Sequence, residues 1–246
     1  MLFSAVVLAS CASAPKNDPE AMAEFQKLND PVESINRGIF GFNQILDKIV
    51  IKPVTAIYRA IAPAPIRKMI GNFLNNLKTP VILANDILQG EGKRAGDTVV
   101  RFVVNSTLGL LGFLDPAEDF GFARHEEDFG QTLAVWGAEE GPYLMLPVLG
   151  PSNPRDLIGK VVDFFIDPIN WWSVTDDNEI AIIRTGVGGV GARDNYWDAL
   201  EDIEKNSIDP YASYRSLYRQ RRSDDIRNGA APTKSQLKPE LELAKD

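Results

Sequence analysis

Apolar residues recur at three- and four-residue steps along most of the chain, and the first such run is the clearest. In NDPVESINRGIFGFNQILDKI (29–49), Val32, Ile35, Ile39, Phe42, Leu46 and Ile49 fall on one helical face. Asp30 is placed to cap this helix, Pro31 suits its first position, and Glu33 completes a capping box. APAPIRKMIGNFLNNLKTP (62–80) sets Ile66, Met69, Ile70, Phe73, Leu74 and Leu77 on one face, bounded by Pro65 and Pro80. VILANDILQG (81–90) predicts a short helix stopped by Gly90, and KRAGDTVVRFVVNSTLG (93–109) another, with Val99, Phe102 and Val103 turned inward. NPRDLIGKVVDFFID (153–167), with Leu157, Val161 and Phe164, follows the same style, as do RDNYWDALEDIEKNS (193–207) and DPYASYRSLYRQRRSDDIRNG (209–229). Asp or Asn before Pro at 30, 153, 167 and 209 is a repeated helix-start device. Alternating strand patterns are nearly absent, so the chain reads as all-α.

Residues 108–156 break this rhythm. The stretch is rich in Gly and Pro yet strongly apolar, whereas loops normally face water. Its side chains must therefore face a core, a lipid or a partner. Gly109, Gly112, Gly137, Gly141 and Gly150 would supply hinges and close backbone approach. The polar tail from about Gly229 has the composition of a disordered segment.

With 246 residues, 44% of them apolar, the chain has enough material for a real core in one domain or two small ones. Its formal charge of −8 makes it a poor nucleic-acid binder, and bulk charge will not hold it to an anionic membrane. The longest apolar patch after residue 11 is LGLLGFL (108–114), far short of the roughly 18–20 residues of a membrane-spanning helix.

The one cysteine, Cys11, has no disulfide partner and no thiolate or histidine cluster for a metal. It follows LFSAVVLAS (2–10), an uncharged run ending in small residues, as export signals do. Leu8-Ala9-Ser10-Cys11 resembles the lipobox of bacterial lipoproteins, in which the peptide is cut before the Cys and the Cys is lipidated. One departure is that no Lys or Arg precedes the apolar run. Residue 12 is Ala, not the Asp that in this class retains lipoproteins at the inner membrane, so the resemblance points to the outer membrane. Stable anchoring takes more than one acyl chain, which a cysteine of this class carries.

Eight segments occur in order: NDPVESINRGIFGFN, KPV, NFLNNLKTP, NDILQG, RFVVNSTLGLLGFLDPA, DFGQTLAVWG, GPYLMLPVLGPSNPRD and a late DPY. Together they resemble the MlaA (VacJ) lipoprotein family, over roughly residues 28–222. The resemblance implies a ring-like assembly of amphipathic helices lying in the inner leaflet of the outer membrane around a central amphipathic channel. Phospholipid misplaced in the outer leaflet would pass through it to a soluble periplasmic carrier, and from there to an inner-membrane ABC transporter complex. Many members associate with porin trimers, and no covalent chemistry, cofactor or metal is implied. On this reading residues 1–10 are a lipoprotein signal peptide, 11–28 a lipidated tether, 29–226 the helical domain and 227–246 a disordered tail. Phe40, Phe42, Asn43, Trp136, Gly141, Tyr143, Leu144, Pro147 and Gly150 become candidates for lining or gating the lipid path. Trp136 and Tyr143 have rings that favour a membrane interface. The alternative is a lipid-anchored envelope scaffold that binds a porin and moves no lipid.

Other features point less far. His125, in ARHEEDFG, reads as part of a solvated charged loop; with Ser106 it would be the only material for a hydrolase, and no GxSxG or HExxH motif is present. GVGGVG (186–191) superficially resembles a dinucleotide loop but lacks a βαβ context. YRSLYRQRR (214–222) reads as a solvated helix face, with contact to lipid phosphates as the minority reading. INWWSV (169–174) is either an interfacial anchor or core.

Overall fold

Asp30 does not cap the first helix. In the computed structural model, which describes residues 30–170 and 179–230, helix α1 spans Glu33–Leu46 with Val32 at its N-cap and no side-chain cap. The Asp30 carboxylate is taken up elsewhere: it accepts from Asn36 Nδ2 at 2.7 Å and from Arg215 at 2.7 Å. A buried charge next to an arginine gains more from that ion pair than a cap would supply.

The chain runs from α1 through a π-helical turn, Asp47–Ile51, into α2, Lys52–Ile61. It then bends by 116° into α3, Ala64–Leu88. α3 is one helix of 25 residues, where the sequence predicts a break at Pro80. A proline removes one helix hydrogen bond and crowds the carbonyl four residues back, a cost that packing on both sides can offset. Here Asn76 before it and Val81, Asn85 and Asp86 after it are buried and hold the axis together. Gly90, at φ 78°, ends the run as expected.

Next come α4, Gly92–Thr107, the single turn α5, Pro116–Asp119, and α6, Phe129–Val135. Two three-residue strands, β1 (Leu144–Leu146) and β2 (Gly150–Ser152), form an antiparallel hairpin with Met145 opposite Pro151. They are a small addition to an otherwise helical chain, too short to leave an alternating pattern. The last helices are α7, Pro154–Ile166, α8, Glu179–Asn195, α9, Trp197–Asn206, and α10, Pro210–Ile226. Asn153 and Asp209 cap α7 and α10 by accepting the N–H groups of Asp156 and Ala212, each with proline in the next position. Asp167 likewise accepts from the Ile169 N–H, and residues 168–170 are helical. GVGGVG lies within α8, so it is no phosphate loop. Cys11, the tether, Trp171 and Trp172 of INWWSV and the tail from 231 lie outside the described residues.

The interior is polar. Among the described residues, five apolar side chains are fully buried against eighteen polar or charged ones. Val99, Phe102 and Val103, expected to point inward, are 44%, 42% and 53% exposed, and the buried positions of α4 are Thr98 and Asn105. On α1 the stripe residues Ile35 and Phe42 are exposed, as is Ile49 in the turn that follows, while Asn36 is buried. Val161 and Phe164 of α7 are exposed too. The amphipathic stripes exist where periodicity places them, but many of their apolar residues face outward. The buried apolar cluster is Tyr143, Met145 and Tyr211, with Ile39, Phe40 and Tyr218 packed on it.

Candidate functional site

Helices α3, α7, α8 and α10 and the segment before α6 border a cavity of about 640 Å³. Val81, Ile82 and Phe164 supply its apolar lining, and charged side chains of both signs supply the rest. Such a mixed wall needs each charge to be held, and most are.

Arg222 of α10 is the main tie. It donates to both Asp128 oxygens at 2.6 and 2.7 Å and to Asp156 at 2.9 Å. Burial pushes the Asp128 carboxyl up, but the hydrogen bonds and charge of Arg222 outweigh it and hold the group below the usual range. Asp128 also caps α6, accepting the Gln131 N–H at 2.9 Å. Asp163 of α7 accepts the Phe129 N–H with both oxygens, at 3.0 and 3.1 Å, and Asn85 Nδ2 at 3.0 Å. Burial nevertheless lifts its carboxyl above the ordinary value. α6 and α7 cross at Gly130 and Gly159: a Cβ on Gly159 would lie 2.3 Å from the Gly130 nitrogen. Neither glycine was singled out in the sequence: Gly159 lies in a predicted helix, but Gly130 lies in the 108–156 stretch, where no helix was read.

His125 stands at the cavity edge and is no solvated loop residue. Its Nε2 is 3.1 Å from both Asp86 oxygens and 3.1 Å from Thr98 Oγ. Glu127, two residues on, is buried, accepts Gln89 at 2.7 Å and pairs with Arg94. Burial raises its carboxyl. The reason is tertiary: the polar faces of α3 and α4 are turned toward this segment, and its charges close against them. Ser106 is engaged by Asn76 at 2.9 Å, and no hydrogen bond among the described residues joins it to His125.

The basic run of α10 is mostly not a solvated face either. Arg215 is buried on Asp30, Arg222 binds Asp128 and Asp156, and Arg219 pairs with Glu140 at 3.0 Å. Arg221 is the more exposed one and lines the cavity.

None of the nine sequence candidates borders this cavity. Most gather instead where α1 meets the hairpin. Asn43 donates to the Leu146 carbonyl and accepts from the Val148 N–H. Asn36, one heptad earlier, does the same for Tyr143 and Met145. Phe40 sits edge-on to Tyr211 and Tyr214, while Phe42 is exposed. Leu144 pairs with Ser152 at the base of the hairpin, and Pro147 is exposed at its tip. Gly141 (φ 70°) lies against Pro154, and Gly150 (φ 76°) opens β2. Tyr143, expected at an interface, is buried edge-on against Tyr211 and Tyr218, because Asn36 draws its backbone under α1. Trp136 is exposed, with its indole N–H on the Leu88 carbonyl at 3.0 Å.

The fold and the cavity define a helical protein with many large apolar side chains on its exterior and a mostly polar, charged interior. Residues 28–225 match the family model described as MlaA lipoprotein, and the chain belongs to that family. It is 32% identical over 202 residues to an uncharacterised protein of Rickettsia bellii, covering 82% of this chain and 78% of that one. To the intermembrane phospholipid transport system lipoprotein MlaA of Haemophilus influenzae it is 32% identical over 232 residues, 93% of this chain and 89% of the relative. The Escherichia coli protein of the same name is 30% identical over 249 residues, 98% and 90% of the two chains. A chain solved in work on the structural basis for maintenance of bacterial outer membrane lipid asymmetry superimposes with a TM-score of 0.71 at 33% identity. It covers 80% of this chain and 98% of that one.

Proposed function

We propose that this chain is an outer-membrane lipoprotein that takes mislocalised phospholipid from the outer leaflet and passes it to a soluble periplasmic carrier. No covalent step is involved. The observation that carries this reading is the inverted distribution of side chains. Ile49, Ile57 and Ile61 are 70%, 60% and 77% exposed, while charged and amide side chains fill the interior. Each large apolar side chain removed from water is worth about 1.5–3 kcal/mol, so a surface of this kind strongly favours hydrocarbon over water. No single described helix is long and apolar enough to cross a membrane, and the first arm bends back at 116°. That geometry suits a body lying in one leaflet.

The cavity fits the cargo. A phospholipid needs an apolar wall for its chains and a polar one for its headgroup, and Phe164 and Lys160, one helical turn apart on α7, offer both. The hairpin clasped by Asn36 and Asn43 is a candidate gate. Lipidation at Cys11 would keep the body at the membrane, and a porin trimer is the expected neighbour. The names of the Haemophilus influenzae and Escherichia coli relatives support phospholipid as the cargo.

The test is outer-leaflet phospholipid in a strain lacking the protein. It rises if the reading holds and is unchanged if the protein is only a porin scaffold. Cys11→Ser should leave a folded protein that no longer sorts to the outer membrane; correct sorting of that variant would refute the lipid anchor.

A further inference from the structure

Two lysines in the cavity differ from its other cations. Arg184 pairs with Asp167 at 2.6 Å, Arg124 with Glu126 at 2.5 Å, and Arg221 reaches Asp225 at 4.0 Å. Lys78 of α3 and Lys160 of α7 line the same space, and among the described residues neither has a carboxylate within ion-pair distance. The hydrogen bond that Lys160 makes goes to a neutral group, Ser152 Oγ, at 3.3 Å. Lys78 acts on Glu126 only through its charge, from beyond contact. The deeper carboxylates are already engaged, Asp128 by Arg222, Asp163 by Phe129 and Asn85, and Glu127 by Gln89.

Two ammonium groups without acid partners, beside Val81, Ile82 and Phe164, leave strong donors free for an oxyanion. Protein packed around Lys160 pulls its ammonium below the usual lysine range, which the charge of Asp156 only partly offsets; an arriving anion would restore it. The lining as a whole carries five cations and six carboxylates, so it does not favour a net negative guest. An anion that brings its own cation fits best. Asp225, which Arg221 reaches only at 4.0 Å, and Glu126, exposed and held by Arg124 at one oxygen, border the same space and can accept an ammonium.

We infer that Lys78 and Lys160 form a phosphodiester-reading subsite that makes this chain prefer zwitterionic glycerophospholipid headgroups, phosphate on the lysines and amine on Glu126 and Asp225. The inference rests on the proposed lipid transport and deepens it.

The test measures lipid retained by the purified full chain in detergent. The probes are dioleoyl-phosphatidylethanolamine, dioleoyl-phosphatidylglycerol and dioleoylglycerol, which lacks phosphate. The ethanolamine lipid should be retained best and dioleoylglycerol least. The Lys78→Met, Lys160→Met double variant should lose about tenfold in ethanolamine-lipid retention with dioleoylglycerol unchanged, and the double Arg variant should recover it. Methionine keeps most of each stem and strands no carboxylate, so melting temperature should match the parent. Undiminished phospholipid retention by the double Met variant overturns the subsite, and so does equal retention of all three probes by the parent. If the parent retains no diacyl lipid at all, the transport reading falls with it. Tight binding of glycerophosphoethanolamine, the headgroup without chains, would show that the lysines read a soluble phosphodiester and would overturn a lipid occupant.

Discussion

Asn43 holds the hairpin tip through one amide: its Nδ2 donates to the Leu146 carbonyl at 2.9 Å and its Oδ1 accepts the Val148 N–H at 2.8 Å. Val148 sits at φ 67°, a conformation that a β-branched residue adopts only under constraint. Asn43→Ala removes both bonds, each worth about 0.5–1.5 kcal/mol net, and lets Val148 relax, which returns part of the loss. The expected result is a fall in melting temperature of about 2–4 °C, together with much faster hydrogen exchange at Val148 and Leu149. Unchanged exchange at the tip would mean that Asn43 does not hold it.

The Gly130–Gly159 crossing should tolerate nothing larger. In Gly159→Ala the new methyl would meet the backbone of Gly130, which cannot rotate away. Overpacking of this kind costs about 1–3 kcal/mol, and an obstacle made of backbone puts it at the upper end. Gly186 of α8 is the control. A Cβ there meets nothing within 4 Å, so Gly186→Ala should stabilise the helix by about 0.5–1 kcal/mol. Chemical denaturation of both variants checks the contrast, which fails if Gly159→Ala is as stable as the parent.

Asp115 accepts both Arg101 Nη2 contacts, at 2.9 and 2.7 Å, and Asn105 Nδ2 at 2.8 Å. Burial pushes its carboxyl up, but Arg101 and Asn105 outweigh it and the net shift is downward. A carboxyl lowered in the fold adds stability above its unfolded value, near 3.8, and loses it as pH falls through the lower folded value. The contribution is therefore intact at neutral pH and declines in acid, below about pH 4. Asp115→Asn leaves Arg101 with a neutral amide oxygen and the Phe122 carbonyl and should cost about 1.5–3 kcal/mol at pH 7. The gap between variant and parent should narrow as the pH drops below 4; a constant gap would count against the ion pair.

Ile49 and Ile61 point away from the body, at 70% and 77% exposure. Ile49→Asp and Ile61→Asp should leave stability within about 0.5 kcal/mol, as surface changes do. Made in a Cys11→Ser background, each should weaken partition into phospholipid vesicles by about tenfold or more, because Asp in hydrocarbon costs about 2.5–3.5 kcal/mol. Loss of stability with unchanged partition would mark these side chains as ordinary packing.

Local signals were legible in the sequence. Asn153 and Asp209 cap α7 and α10 as expected, because a cap is made within three residues and needs no distant partner. Gly90 stops α3 for the same reason, through its own φ of 78°. Pro80 misled because a break depends on what holds the helix on both sides, and buried Asn76 and Val81 do. His125 and the arginines of α10 were read as solvated because their partners, Asp86, Asp30 and Asp128, lie 39, 185 and 94 positions away.

The sequence by itself determined most of the long helices, several of their ends and the resemblance to the family, since periodicity, capping and motif order are properties of neighbours along the chain; it missed α2, α6 and α8, the last two short of or outside a clear apolar stripe. Only the tertiary structure decided which face of each helix is inside. Periodicity marks a stripe but carries no sign; the sign depends on what surrounds the fold. Here Asn85, Asp86 and Thr98 turn inward because they find one another and His125, Thr132 and Asp163 across helices. Val99, Phe102 and Val103 are then left on the outside. The cavity is likewise a tertiary product: Lys78 and Lys160 are 82 positions apart and line one space only because α3 and α7 pack together beside it.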